Sequence, residues 1–466
     1  MLSKEKRTLI MKTLNFVRYA FITAAVGLFA TSSDAAWTYT ETNTVVNGVS
    51  KGSITDGVWT FYAERAKGAT DELTVDARMG MSINPAQPAK IDFSEIEGGY
   101  KVVKFVGVKN TQSALVLYTT EFIAPDCVNL SGEGIFYPGN AKNTTLTKIQ
   151  LREDVAVTLG NDRMFCNCTY LTSFTPNKIA GTSLRTDMFK GCSSLEGEFE
   201  FPECTSFAGN VFNGCSKLGG IKAENAIRVE QSSFQGCSSL SNIVLSAAVE
   251  KIGNYAFDGC SKITTEFVQG LLHKGLKQLG NSATDRNGCF KNCTGLTGSL
   301  VWNLPNLITN AVPNFCFSGC TSLERVEIKS PVSVIGNQAF NNLKPGAEIF
   351  LHNTPAESYG TFAIATVEAP FPKVYINKDY SDAWLDCMYV AGQNHLMKKN
   401  EFSDTSWISK NGKKYIDIKV IMNKDSTMCN EMVVDNRNVL AFLMSDNKAG
   451  CWILKKPEEG FKVIVR

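Results

Sequence analysis

The stretch that decides the fold is Val249-Glu250-Lys251-Ile252-Gly253-Asn254-Tyr255-Ala256-Phe257-Asp258-Gly259-Cys260-Ser261-Lys262-Ile263. Its second half, Phe-x-x-Cys-x-x-Leu/Ile, recurs at Phe165-Cys168-Leu171, Phe189-Cys192-Leu195, Phe212-Cys215-Leu218, Phe234-Cys237-Leu240, Phe290-Cys293-Leu296 and Phe317-Cys320-Leu323. The Phe-to-Phe steps are 24, 23, 22, 23, 33 and 27 residues, so two of the steps carry insertions. A degenerate copy follows at Phe340 and Leu343, and a widened one precedes at Phe136 and Leu146. A phrase that returns at so steady a period is the signature of a repeat array.

Working outward, each repeat Leu leads into a short apolar set: Leu146-Ile149-Leu151, Leu218-Ile221-Ala223, Leu240-Ile243-Leu245 and Leu323-Val326-Ile328. A longer variant reads Leu195-Phe199-Phe201 and Leu296-Leu300-Trp302. The last two members of each set lie two apart, which puts both on one face of a strand. One unit of this length cannot bury that face alone, but units stacked in parallel can, each strand pairing with its neighbours. The predicted fold class is therefore a β-rich repeat solenoid with parallel strands.

Together with Val249 to Gly253, the phrase Ala256-Phe257-Asp258-Gly259-Cys260-Ser261-Lys262-Ile263 resembles the BspA-type bacterial leucine-rich repeat. Val332-Ser333-Val334-Ile335-Gly336-Asn337-Gln338-Ala339-Phe340 resembles it too. The resemblance covers roughly residues 130 to 376 and implies a leucine-rich-repeat fold. Characterised relatives are cell-surface or secreted proteins, some of them adhesins that bind host matrix proteins. The resemblance implies no catalytic residues.

Four regions are expected. Residues 1–36 read as a signal peptide: a basic start (Lys4, Lys6, Arg7, Lys12, Arg18), a short apolar run from Tyr19 to Ala30, and the small-residue site Ser33-Asp34-Ala35. Residues 37–130 lack the repeat. Their runs Thr38-Tyr39-Thr40, Val58 to Tyr62, Leu73-Thr74-Val75, Val102 to Val106 and Leu115-Val116-Leu117-Tyr118 predict a β-rich N-terminal cap. Residues 131–376 form the leucine-rich-repeat solenoid. Residues 377–466 hold a capping helix over Asp379 to Tyr389 and a small, mostly β C-terminal module. The signal-like start leads to the expectation that the chain is exported, to the cell surface, the extracellular space or the periplasm, and no later segment is long and apolar enough to span a bilayer.

Fifteen cysteines in an exported chain invite a disulfide reading. Seven of them, Cys168, Cys192, Cys215, Cys237, Cys260, Cys293 and Cys320, occupy one repeat position and predict a ladder of buried thiols instead. Parallel side-chain vectors suit a disulfide poorly. Among the irregular cysteines a Cys429–Cys451 bridge stays open. No Cys-x-x-Cys pair occurs, and the histidines His273, His352 and His395 are scattered, so neither a metal site nor a nucleophile–base pair is expected. Cofactors: none. The net charge of +2 gives no basic excess for nucleic acid.

Function is expected at the strand face, through which leucine-rich solenoids usually bind. The residues between the inward pairs form the candidate binding column: Gln150, Thr175, Glu200, Lys222, Val244, Val268, Val301 and Glu327. Its middle, Val244 to Val301, reads as a run of exposed valines that suits protein contact, or equally as β-branched residues that suit a parallel sheet. The insertion at 268–289 is the other candidate surface. These features predict a non-catalytic, adhesin-like binding protein for a protein or glycan ligand, host-derived ones included. The alternatives are a structural coat or spacer protein and, behind it, a secreted hydrolase using the C-terminal module.

Overall fold

Each copy of the repeat folds into one turn of a parallel stack, and the repeat Phe rings and paired strands of successive turns stand beside one another. The computed structural model describes residues 36–353 apart from 47–48, 67, 69–70, 84–87, 108–113, 140–144 and 281–287. Beyond them it describes Ala356 and the strands Ser358–Tyr359, Lys373–Ile376, Cys387–Val390, His395–Lys398, Ile416–Met422, Cys429–Val433 and Cys451–Lys455. The leader expected over 1–36 thus lies outside the described residues except for Ala36. So does most of the helix expected over Asp379 to Tyr389, whose last residues belong instead to the strand Cys387–Val390. The side chains of Cys429, Cys451 and His395 are also outside, and with them the open bridge. The chain divides into two units, Met1–Val157 with Ser173–Pro176, and Thr158–Thr172 with Asn177–Arg466.

In the first unit, strands Thr38–Val46, Val49–Thr55 and Trp59–Arg65 form an antiparallel meander. Glu72–Asp76 joins it antiparallel to Trp59–Arg65 and then pairs in parallel with Lys101–Val106, which pairs with Asn129–Ser131. A second, all-parallel sheet runs Ala89–Asp92, Thr119–Ile123, Lys148–Gln150 and Ser173–Thr175. Parallel stacking therefore begins well upstream of the first recognisable Phe. The core between these sheets is aromatic: Phe105 lies 5.6 Å from Phe61 and 4.9 Å from Phe122, and Phe122 lies 5.8 Å from Phe136. Leu115-Val116-Leu117-Tyr118, expected as a strand, belongs to a one-turn helix, α1 (Ala114–Tyr118), that buries Leu115 and Val116. An apolar run this short has no period of its own, and its Ala and Leu favour a helix. The strand is the β-branched segment after it, Thr119–Ile123.

In the second unit the repeat phrase makes the corner of each turn. The residue two before every repeat Phe except Phe290 (Arg163, Asp187, Asn210, Ser232, Tyr255, Phe315, Gln338) is left-handed, with φ between 52° and 59°. The residue two after it (Asn167, Gly191, Gly214, Gly236, Gly259, Asn292, Gly319, Asn342) is left-handed too, with φ between 55° and 81°. Only Gly and Asn hold the second position, the types that tolerate this region best. The corner so fixed aims every Phe ring inward. Rings of successive turns, from Phe165 through Phe189, Phe212, Phe234, Phe257, Phe290 and Phe317 to Phe340, stack at centroid distances of 5.2 to 5.8 Å with planes within 15°. Main chain links the same turns: Phe189 N–H donates to the Val211 carbonyl (2.9 Å) and Gly191 N–H to the Asn213 carbonyl (2.7 Å). The thiols point the other way, Cys215 Sγ donating to the Phe189 carbonyl and Cys237 Sγ to the Phe212 carbonyl, both at 3.1 Å. The expected ladder is present, and every described thiol is buried and outside any disulfide.

A regular turn carries two short strands. Those on the principal face form a three-stranded parallel sheet (Glu198–Glu200, Gly220–Ala223, Asn242–Leu245) and a four-stranded one (Gly298–Trp302, Leu323–Ile328, Glu348–Leu351, Lys373–Ile376). Those on the second face are two-residue pieces such as Ser206–Phe207, Arg228–Val229 and Lys251–Ile252. Between the two principal sheets, at the insertion, stands a helix, α2 (Thr265–Leu271). Thr264 caps it, accepting from Phe267 N–H, and Glu266 sits in its first turn, where the helix dipole favours an acid. Val268 and Leu271, three apart, make its buried side.

Candidate functional site

The principal face is where side chains are presented in rows. Gln150 and Thr175 are register partners on one sheet of the first unit, both half-buried. In the second unit Glu200, Lys222 and Val244 are successive partners, as are Val301, Glu327 and Phe350. Lys222 and Val244 are exposed, the others half-buried. Seven of the eight expected residues therefore lie in outward register rows, though not in one unbroken column.

The eighth does not. Val268 is fully buried, on α2 rather than on a strand. The ten-residue insertion lets the chain complete a helical turn here, and its apolar spacing turns Val268 inward. The run of exposed valines is accordingly not a patch: Val244 is 39% exposed, Val268 is covered, and Val301 is half-buried on the next sheet. Of the inserted segment 268–289, residues 281–287 lie outside the described set.

The row beside the expected one was missed and is chemically richer. Ser299, Arg325 and Glu348 are partners across three strands. The Arg325 guanidinium donates to Glu348 Oε2 from Nε (3.0 Å) and Nη2 (2.5 Å) and lies 4.7 Å from the centre of the Phe350 ring. Glu327 sits within 3.5 Å of His352 Nε2 and 3.3 Å of Lys329 Nζ. Burial is the main influence on His352 and holds its pKa below the ordinary value, against the pull of Glu327. Phe350 could have been found: Ile349 and Leu351 repeat the inward pair after the degenerate Phe340, which leaves Phe350 outward. In the three-stranded sheet Asn242 Nδ2 reaches both carboxylate oxygens of Glu198 at 3.0 Å, passing over Gly220. A Cβ at Gly220 would stand 2.7 Å from Glu198 Cγ.

No such group resembles a reactive centre. Burial raises the described cysteine thiols above their ordinary value, the reverse of what a nucleophile needs. Among the described residues no cluster of His, Cys, Asp or Glu could hold a metal ion. No helix among them is long and apolar enough to cross a membrane.

A family model for the BspA-type leucine-rich repeat region matches in six copies, over residues 135–264 and 274–370. A search of curated proteins finds no match. Similar solved structures are a leucine-rich repeat protein of T. pallidum (15% identity, 47% of this chain and 94% of that one, TM-score 0.34) and a leucine-rich cell surface protein of Faecalibacterium prausnitzii A2-165 (17%, 64% and 88%, TM-score 0.33). A leucine-rich repeat protein of Eubacterium ventriosum ATCC 27560 is a third (13%, 70% and 92%, TM-score 0.31). Scores this low add nothing to what the strands themselves say, and the assignment rests on the repeat. Residues 135–264 and 274–370 are BspA-type leucine-rich repeats, and through them this is a BspA-like leucine-rich-repeat protein.

Proposed function

We propose that the chain is an exported, non-catalytic binding protein that works at the cell surface, holding a protein or glycan ligand on its principal strand face. The carrying observation is the set of register rows, above all Ser299-Arg325-Glu348 beside Val301-Glu327-Phe350. Inward, the repeat asks for the same residue types turn after turn. Outward, acid, base, amide, aliphatic and aromatic groups alternate on a backbone that the ladder holds rigid. Pre-ordered, chemically varied side chains favour specific binding because little further freedom is lost on contact. The resting contact of Arg325 on Phe350 supplies an aromatic and a cation in one place, the residue types that dominate binding hot spots.

The test is a binding screen of the full chain against immobilised matrix proteins and surface glycans, repeated with Arg325→Ala and Phe350→Ala. The expected result is saturable binding that each substitution weakens about tenfold, with the thermal midpoint nearly unchanged. Ordered self-assembly without any ligand would overturn the reading in favour of a coat, and turnover of a polysaccharide or peptide in favour of a hydrolase.

A further inference from the structure

The three-stranded principal sheet stops at Asn242–Leu245, and that strand differs from the others. In a parallel ladder alternate residues bond to opposite neighbours. Here outward residues pair backward: Asn242 N–H donates to the Gly219 carbonyl (3.2 Å), and the Lys222 carbonyl accepts from Phe201 N–H (2.8 Å). Inward residues pair forward: the Trp302 carbonyl accepts from Lys329 N–H (2.8 Å) and the Ile328 carbonyl from His352 N–H (3.1 Å). The N–H and C=O groups of Ile243 and Leu245 therefore face forward, toward the turn where a helix has replaced the strand. No described residue hydrogen-bonds them. Inward residues elsewhere on these sheets, Phe199, Ile221, Ala223, Leu300, Trp302, Val326, Ile328, Ile349 and Leu351, are buried, whereas Ile243 and Leu245 are half-exposed.

Helix α2 belongs to the other side of the gap. The Gln269 carboxamide takes the place of a neighbouring peptide group, accepting from Val301 N–H (2.7 Å) and donating to the Val301 carbonyl (3.0 Å). Thr265 Oγ1 does the same for Thr297, accepting from its N–H (2.8 Å) and donating to its carbonyl (2.6 Å). The insertion thus closes the edge it leads into and leaves open the edge it follows.

We propose that the forward edge of Asn242–Leu245 is a docking site for a short extended segment of a partner protein, which would add as a further strand. The recognition is chemical. Two unpaired N–H and two unpaired C=O groups recur at every second residue, about 7 Å apart, and only another polypeptide main chain offers the matching alternation. Side chains of the added strand would cover the exposed parts of Ile243 and Leu245, as in strand addition at other sheet edges. The proposal rests on the binding reading above and narrows its ligand, at this edge, from protein or glycan to an extended peptide.

Hydrogen exchange resolved to single amides, on the full chain, tests it. Without ligand, the Ile243 and Leu245 amides should exchange far faster than those of Ile221 and Ala223, which occupy the same positions one turn earlier. The probe is an acetylated, amidated pentapeptide alternating threonine and valine, at millimolar concentration. It should slow Ile243 and Leu245 exchange by about tenfold, and the same peptide with alternate amides N-methylated should not. Equal protection in the free chain, no effect of the peptide, or an equal effect of its N-methylated form would each overturn the proposal. Saturable binding lost with Arg325→Ala while these two amides stay unprotected would overturn this docking site and leave the function itself standing.

Discussion

At the scale of single residues, the corner after each Phe shows how little the sequence may vary and why. Gly191 and Gly319 follow turns that hold Asn167 and Asn292, and a Cβ at either would approach the asparagine Oδ1 to 2.6 or 2.5 Å. Gly236 follows Gly214, and a Cβ there meets nothing closer than 3.6 Å. Asparagine already serves at this position, so its φ is accessible to it. Gly236→Asn should therefore cost less than about 1 kcal/mol, and Gly191→Asn at least about 1–3 kcal/mol more, from the added overlap. Denaturant unfolding of the two variants checks the difference. The thiol three residues after Phe is a small apolar filler that also donates a hydrogen bond. Its place was legible from spacing alone. Its partner, the Phe carbonyl one turn earlier, was not, because sequence carries no information on which way a buried sulfur points.

At the scale of elements, the departures cluster where the period breaks. The strand rows of the regular turns could be read from inward pairs two apart, and Gln150, Thr175, Glu200, Lys222, Val244, Val301 and Glu327 fall in outward register. The reading failed at Val268, since a ten-residue insertion changes the local period from that of a strand to that of a helix, and length alone does not say where the change begins. It failed again at Leu115–Tyr118, where four apolar residues fit either element. Gln269 shows how such a change is met on the side the insertion leads into: the Val301 peptide, left without a neighbouring strand, takes its hydrogen bonds from a side chain. Gln269→Ala should orphan the Val301 peptide and cost about 1–3 kcal/mol, while Lys274→Ala, exposed just beyond the same helix, should stay within about 0.5 kcal/mol. Thermal or chemical denaturation separates them. If the two were equal, the carboxamide would not be closing that edge.

At the scale of the whole molecule, the buried thiols link stability to pH. Burial pushes Cys127 and Cys166 up to about 11 and Cys289 and Cys320 up to about 12, from an ordinary 9.0. A group whose folded pKa exceeds its unfolded value contributes stability that is complete below the unfolded pKa and is lost as pH rises through the folded one. Stability should therefore not respond to these thiols below about pH 8 and should decline steadily from there toward pH 12. The slope is about 1.4 kcal/mol per pH unit for each thiol titrating in the unfolded chain alone. Replacing Cys289 and Cys320 together by alanine should make the decline shallower, as urea midpoints across that range would record. The same burial predicts that native thiols resist alkylation at pH 8 and react only on unfolding. The strand face sits on this rigid interior, so loss of the ladder and loss of binding should coincide.

All of this depends on equivalent side chains standing above one another in successive turns. The most direct measurement is the sulfur anomalous signal from a crystal of the chain. The seven sulfurs from Cys168 to Cys320 should then lie in single file, each from Cys192 onward within about 3–4 Å of the carbonyl oxygen of the Phe one turn earlier. Sulfurs spread over different faces, or joined in pairs, would contradict the account.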